Sequence, residues 1–174
     1  MVQQQLAQFG VALPNGFEPA FMTAFELFGG YLLLDAWIGN QDRHEENWAV
    51  LRDEDAGLFL APSFDHGASL GFVLTEDQRT SLVRDPDALQ AYAAKGFAKR
   101  FENCAKVPLT VVAADALDRG SARAKDVWLS RLAAVRADAC HSELAGVPRM
   151  SDASRTFCVE LLEINRRRLL DECR

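Results

Sequence analysis

The stretch Ile38–Leu51, IGNQDRHEENWAVL, sets Asp42, Arg43, His44, Glu45, Glu46 and Asn47 between apolar flanks. A polar run inside core-like sequence has two readings: a solvated loop, or a site that does chemistry. Upstream, Phe21, Phe25, Phe28 and Leu32 recur at helical spacing. A helix is therefore predicted from about Pro19, a residue suited to the first helical position, to about Ile38, with Gly39-Asn40 as its stop. Gly29-Gly30 inside that helix costs about 1 kcal/mol per glycine relative to alanine, which points to close packing of a neighbouring element. Downstream, Trp48 and Val50, then Leu58 and Leu60, alternate as strands do, with the polar turn RDEDAG between them. The pattern predicts a β-hairpin over 47–52 and 57–61. Pro62, lacking the N–H a ladder needs, ends the second strand, and the glycine-bearing loop SFDHGASLG follows.

Beyond the hairpin the chain is predicted to be helical. Thr75–Gln78, TEDQ, matches a capping box, and Asp85-Pro86 offers a second helix start. Residues 110–118 and 122–137 are alanine-rich and helix-prone. A last helix starts at Ser151, with Phe157, Leu161, Ile164 and Leu169 on one side. Residues 1–18 are weakly patterned, with a turn signal at Pro14-Asn15-Gly16. The expected class is mainly α with one small hairpin.

Composition narrows the function. With 174 residues the chain is one domain or one lobe of a larger unit. A net charge of −6 argues against a general nucleic-acid surface. The four cysteines, at 104, 140, 158 and 173, have no zinc-ligand spacing; buried thiols in a reducing compartment are expected, and Cys140-His141 is read as coincidence. The N-terminus lacks the basic region of a signal peptide, and no segment approaches the roughly 20 apolar residues of a bilayer span. The expectation is a cytoplasmic protein with no membrane contact.

Phosphoryl transfer needs one carboxylate to orient the attacking hydroxyl, and another carboxylate with an amide oxygen to hold Mg²⁺ against the phosphates. Magnesium takes hard oxygen ligands. Asp42 and Asn47 lie in the loop before the first strand, and Asp65 lies beyond the second. A hairpin returns the end of its second strand beside the start of its first, so Asn47 and Asp65 can face one ion. Other residues nearby have two readings each. His44 braces the loop or supports charge on phosphate. Arg43 contacts phosphate or pairs with Glu45 or Glu46 at the surface. Asp35 reads as an exposed or helix-terminal residue, Trp48 and Phe64 as packing, and Asn165–Arg168 as a solvated helix face or a dock for an acidic partner.

The joined motif, IGNQDRHEENWAVL with LAPSFDHGASLG, resembles the catalytic core of HipA-like serine/threonine kinases. It is also similar to the DRH-x-x-N…DFG pattern of phosphatidylinositol-kinase-like enzymes. The resemblance implies a protein-kinase-like C-lobe over 19–174, with catalytic and metal loops at 38–72 and residues 1–18 as an interlobe remnant or irregular segment. It implies Asp42 as the catalytic aspartate, His44 in support, Asn47 and Asp65 as Mg²⁺ and nucleotide ligands, and ATP as the phosphoryl donor. No G-x-G-x-x-G occurs, and the first lysine is Lys95. The N-lobe that grips ATP is therefore expected to be missing, lost by truncation or supplied by a partner chain. The implied activity is transfer to a Ser or Thr hydroxyl of a protein. The family adds aminoacyl-tRNA synthetase substrates and an antitoxin partner. A phosphoinositide or small-molecule kinase, and a non-catalytic C-lobe scaffold, stand as alternatives.

Overall fold

The computed structural model describes residues 2–54, 57–101, 104 and 106–174. Helix α1 (Val2–Gln8) leads into an irregular segment and then α2 (Ala24–Ile38). Residues 1–18 are thus not wholly irregular: Val2 and Leu6 of α1 are buried in the main core. The turn at Pro14 is present, with Phe17 N donating to Pro14 O (3.0 Å).

Helix α2 starts at Ala24, not near Pro19, because Thr23 caps it. Thr23 Oγ1 accepts from Glu26 N (3.2 Å), and Glu26 Oε2 accepts from Thr23 N (2.7 Å). This reciprocal box satisfies two orphan donors and outweighs proline's suitability for a first turn. Phe21 falls outside the helix and is 37% exposed. The stop is as read: Gly39 is left-handed (φ 70°) and caps onto Asp35 O, a conformation glycine adopts without steric cost.

The hairpin pairs β1 (Val50–Asp53) with β2 (Gly57–Leu60), Val50 opposite Leu60. Ala61 N donates to Ala49 O (2.9 Å), which continues the pairing beyond the strands. Among the described residues six helices follow, the first five being α3 (Glu76–Arg84), α4 (Pro86–Ala94), α5 (Leu109–Asp118), α6 (Ala122–Ala134) and α7 (Ala137–Ala145). The 122–137 helix ends three residues early, where Val135 turns extended, and α7 begins after it. Thr75, Asp85 and Ser151 cap α3, α4 and α8 (Asp152–Glu172) with their side chains.

Two helices organise the rest. Helix α2 packs on α5, α6 and α8, and α8 also touches α3, α4, α5, α6 and α7. The main core gathers Leu27, Phe28, Leu32, Leu60, Leu117 and Leu169, and a second cluster holds Leu89, Phe157, Leu161 and Ile164. The glycine pair permits the close approach expected of it: a Cβ at Gly30 would lie 2.3 Å from Trp128. Trp37 Nε1 donates to Leu162 O (3.1 Å) while Asn165 Nδ2 donates to Trp37 O (3.0 Å). That exchange pins the end of α2, and so the start of the polar loop, to α8. Asn165 is consequently buried and Arg168 half-buried, so the 165–168 run is not a purely solvated face. Of the four cysteines expected to be buried, Cys158 and Cys173 are, whereas Cys104 and Cys140 are only partly buried.

Candidate functional site

The polar loop is built around an ion pair that the sequence hides. Asp35, fully buried near the end of α2, receives Arg43 Nε at Oδ2 (2.6 Å) and Arg43 Nη2 at Oδ1 (2.8 Å). Asn40, also fully buried, donates Nδ2 to Asp35 Oδ1 (2.8 Å), and its own Oδ1 accepts from Asp42 N (3.2 Å). Neither surface reading survives: Asp35 is not an exposed helix-terminal residue, and Arg43, 2% exposed, does not pair with Glu45 or Glu46. Burying a carboxylate and a guanidinium is costly unless they are paired and their remaining donors satisfied. Both conditions are met.

The remaining donors of Arg43 reach across the hairpin. Nη1 donates to Asn47 O and to Phe64 O (3.3 Å), and Nη2 donates to Ser63 Oγ (3.0 Å). One guanidinium therefore ties the chain before β1 to the chain after β2. Ser63 Oγ sits 2.8 Å from His66 Nε2, and Ser69 Oγ donates to His66 O (2.6 Å), so the glycine-bearing loop closes on itself. Tyr31 OH donates to Ala61 O (2.9 Å). Burial pushes the Tyr31 phenol above its usual range, with Arg43 pulling the other way, so it stays a neutral donor.

The residues singled out in sequence are placed as follows. Asn47, 4% exposed, donates Nδ2 to Asp42 O (2.8 Å). That bond orients the amide and leaves Oδ1 as its acceptor atom. Asp65 is exposed, with φ 55° in the left-handed region, and its carboxylate makes no hydrogen bond or ion pair among the described residues. Asp42 is half-buried, with Oδ1 3.0 Å from Arg100 Nη1. His44, 9% exposed, accepts from Glu46 N at Nδ1 (3.3 Å) and holds Nε2 4.0 Å from Asp42 Oδ2. That distance is beyond a direct hydrogen bond. Trp48 packs edge-on against Phe28, centroids 5.4 Å apart, whereas Phe64 is 39% exposed and not simply packing.

Two participants escaped sequence reading, Asp35 as a buried partner and Arg100 as the cation on Asp42. Arg100 lies in the connection after α4, and nothing local to Asp42 signals it. Among the described residues no three His, Cys, Asp or Glu side chains converge as a metal cage. A hard cation that keeps waters and leans on phosphate oxygens needs only one or two protein ligands. Asn47 Oδ1 and the Asp65 carboxylate are donors of that kind.

Helices gathered round α2 and α8, with a hairpin between a polar loop and a glycine-bearing loop, make a kinase-like fold. The crystal structure of the Helicobacter pylori proinflammatory kinase CtkA is similar to this chain, with a TM-score of 0.65 and 24% identity, over 86% of this chain and 52% of that one. The chain spans about half the length of that kinase. No family model matches the chain, and no curated protein matches it. No helix among the described residues is long and apolar enough to cross a membrane.

Proposed function

We propose that this chain is the C-lobe of a HipA-like kinase that, together with an ATP-gripping N-lobe, transfers the γ-phosphoryl of ATP to a Ser or Thr hydroxyl of a protein. The observation that carries the reading is the single buried guanidinium, Arg43, bonded to Asn47 O, Ser63 Oγ and Phe64 O at once. It holds the loop of Asp42 and Asn47 against the segment that ends at Asp65.

In this reading Asp42 orients the acceptor hydroxyl and takes its proton through Oδ2, while the ion pair of Oδ1 with Arg100 fixes the direction of the carboxylate. Asn47 and Asp65 hold Mg²⁺, which supplies charge neutralisation on the phosphates. His44, close to Asp42 and largely buried, fixes the loop and faces charge that develops on the transferred group. An aminoacyl-tRNA synthetase as acceptor and an antitoxin as partner belong to the same proposal, on the family resemblance alone.

Calorimetry with Mg²⁺–ATP and a phosphotransfer assay on the chain joined to its N-lobe test the reading. Asp65→Asn is expected to weaken Mg²⁺-dependent nucleotide binding by roughly tenfold or more, the value of one lost charged ligand. Asp42→Asn is expected to leave nucleotide affinity within a few-fold and to abolish transfer. Undiminished phosphotransfer by both variants would remove the proposal.

A further inference from the structure

A cavity lined by no residue of the hairpin adjoins the polar loop, its walls largely apolar but carrying a set of cations. It encloses about 230 Å³, against roughly 30 Å³ for one water. Gly39 and Gln41 of the loop, Lys95 and Lys99 of the connection after α4, Thr110 of α5 and Arg168 of α8 line it. The chain carries a net charge of −6, yet no Asp or Glu lines this cavity. Three cations without a carboxylate among them run against the balance of the molecule.

Several of these groups lack partners. Neither Lys95 nor Lys99 makes an ion pair or side-chain hydrogen bond among the described residues. Gln41 Oε1 is buried with no hydrogen-bond partner. Its carboxamide can present the NH₂ group instead by turning about its last bond. Thr110 is 4% exposed, and its hydroxyl makes no side-chain hydrogen bond among the described residues. Buried polar groups are ordinarily satisfied, so the orphaned Gln41 oxygen, with the unbonded Thr110 hydroxyl in the same lining, points to a ligand that satisfies it.

Arg168 is held ready rather than engaged. Its Nη1 donates to Ala93 O (2.7 Å) and Asn165 Oδ1 (3.3 Å), both neutral acceptors. Burial pulls its guanidinium below the usual arginine range, and Glu172 only partly offsets that. Helix α5 presents its N-terminal end to the same space, with no side chain capping it. An anion there gains from the helix dipole as well as from the cations.

We propose that this cavity is an anion-binding site, built for the phosphate or carboxylate group of a ligand and held by Lys95, Lys99, Arg168, Thr110 and the Gln41 amide. Phosphate is the better match. Its four oxygens can meet donors converging from the loop, the connection after α4 and two helices, whereas a carboxylate offers two oxygens in a plane. The site does not depend on the phosphotransfer reading. It shares with it only the loop that carries Gln41 and Asp42, and the segment Lys95–Arg100, which serves the cavity at one end and Asp42 at the other.

The test is a titration of the full chain with inorganic phosphate, repeated with acetate, followed by ¹⁵N–¹H NMR. Phosphate is expected to shift the amides of Gly39, Gln41, Gly96 and Thr110. Both lysines are exposed, so a Lys95→Ala/Lys99→Ala variant should fold and lose roughly tenfold or more in affinity, as expected for lost charge-assisted bonds. Arg136→Ala, exposed, paired with Asp138 and outside the cavity lining, should change nothing. Tenfold weaker acetate binding assigns the site to phosphate; equal binding assigns it to carboxylate; either supports an anion site. Shifts scattered over the surface, or an unchanged affinity in the double variant, overturn it. Asp65→Asn should keep its phosphate affinity, so loss of nucleotide binding and loss of anion binding are separate results.

Discussion

At the scale of single residues the decisive pair is Asp35 and Arg43. Removing one partner of a buried ion pair leaves the other charge uncompensated, at a cost of about 3–5 kcal/mol. Asp35→Asn is therefore expected to lower the free energy of unfolding by about 3 kcal/mol or more, read from a denaturant midpoint. The double change Asp35→Leu/Arg43→Met removes both charges and should recover much of that loss, because well-packed apolar pairs of similar volume replace such bridges without penalty. It should not recover Mg²⁺–nucleotide binding, since nothing then ties Asn47 to Phe64. Equal recovery of stability and binding would show that Arg43 does no positioning. The same pair marks what the chain discloses before folding. Asp42, Asn47 and Asp65 stand out before folding because they are oxygen donors flanking a readable hairpin, and the hairpin is present. Asp35 and Arg43 do not, because a charged letter carries no statement of burial, and a partner eight residues away across a helix end has no fixed spacing. Arg100 is legible only from the folded chain, which alone brings the connection after α4 to the loop after α2.

Among the elements, α2 shows how local chemistry sets boundaries and how packing then limits substitution. Its start was legible, though in Thr23-Ala-Phe-Glu26 rather than in Pro19: the box offers two hydrogen bonds where proline offers only a preset φ. The break between α6 and α7 was not, since an alanine-rich run continues through it. The two glycines of α2 look equivalent in sequence and are not equivalent in the fold. A Cβ at Gly29 would meet Leu117 at 3.6 Å, ordinary contact, whereas at Gly30 it would meet the Trp128 ring at 2.3 Å. Gly29→Ala is thus expected to be neutral or to stabilise by up to about 1 kcal/mol, from helix propensity. Gly30→Ala should destabilise by about 1–3 kcal/mol through overpacking. Trp128 is fastened by its Nε1–H to Glu26 O (2.9 Å), so it cannot easily withdraw. In a thermal-denaturation cycle, Gly30→Ala should cost little once Trp128→Ala is present, the coupling expected of residues in contact. Additive losses would place the strain elsewhere.

On the scale of the whole molecule, α8 decides whether two hydrophobic clusters make one cooperative unit. Phe157, Cys158, Leu161 and Ile164, in its first two-thirds, belong to the smaller cluster with Leu89 and Ala93, while Leu169 and Cys173, near its end, belong to the main core with α2 and α5. A continuous helix from Asp152 to Glu172 links the two clusters through Asn165, whose side chain also holds Trp37. The two buried cysteines report on the two ends independently. Burial raises both thiols, Cys173 to about 11, so neither offers much thiolate at pH 8 while the chain is folded. Pulsed alkylation through a urea series should therefore show Cys158 and Cys173 becoming reactive together, at the midpoint seen by circular dichroism, as a two-state domain requires. Were Cys158 modified at clearly lower urea, the α3–α4–α8 side would be a separately unfolding layer. The cavity lined by Thr110 and Arg168 would then sit on a seam between layers, and its affinity for phosphate would fall in the same range of urea.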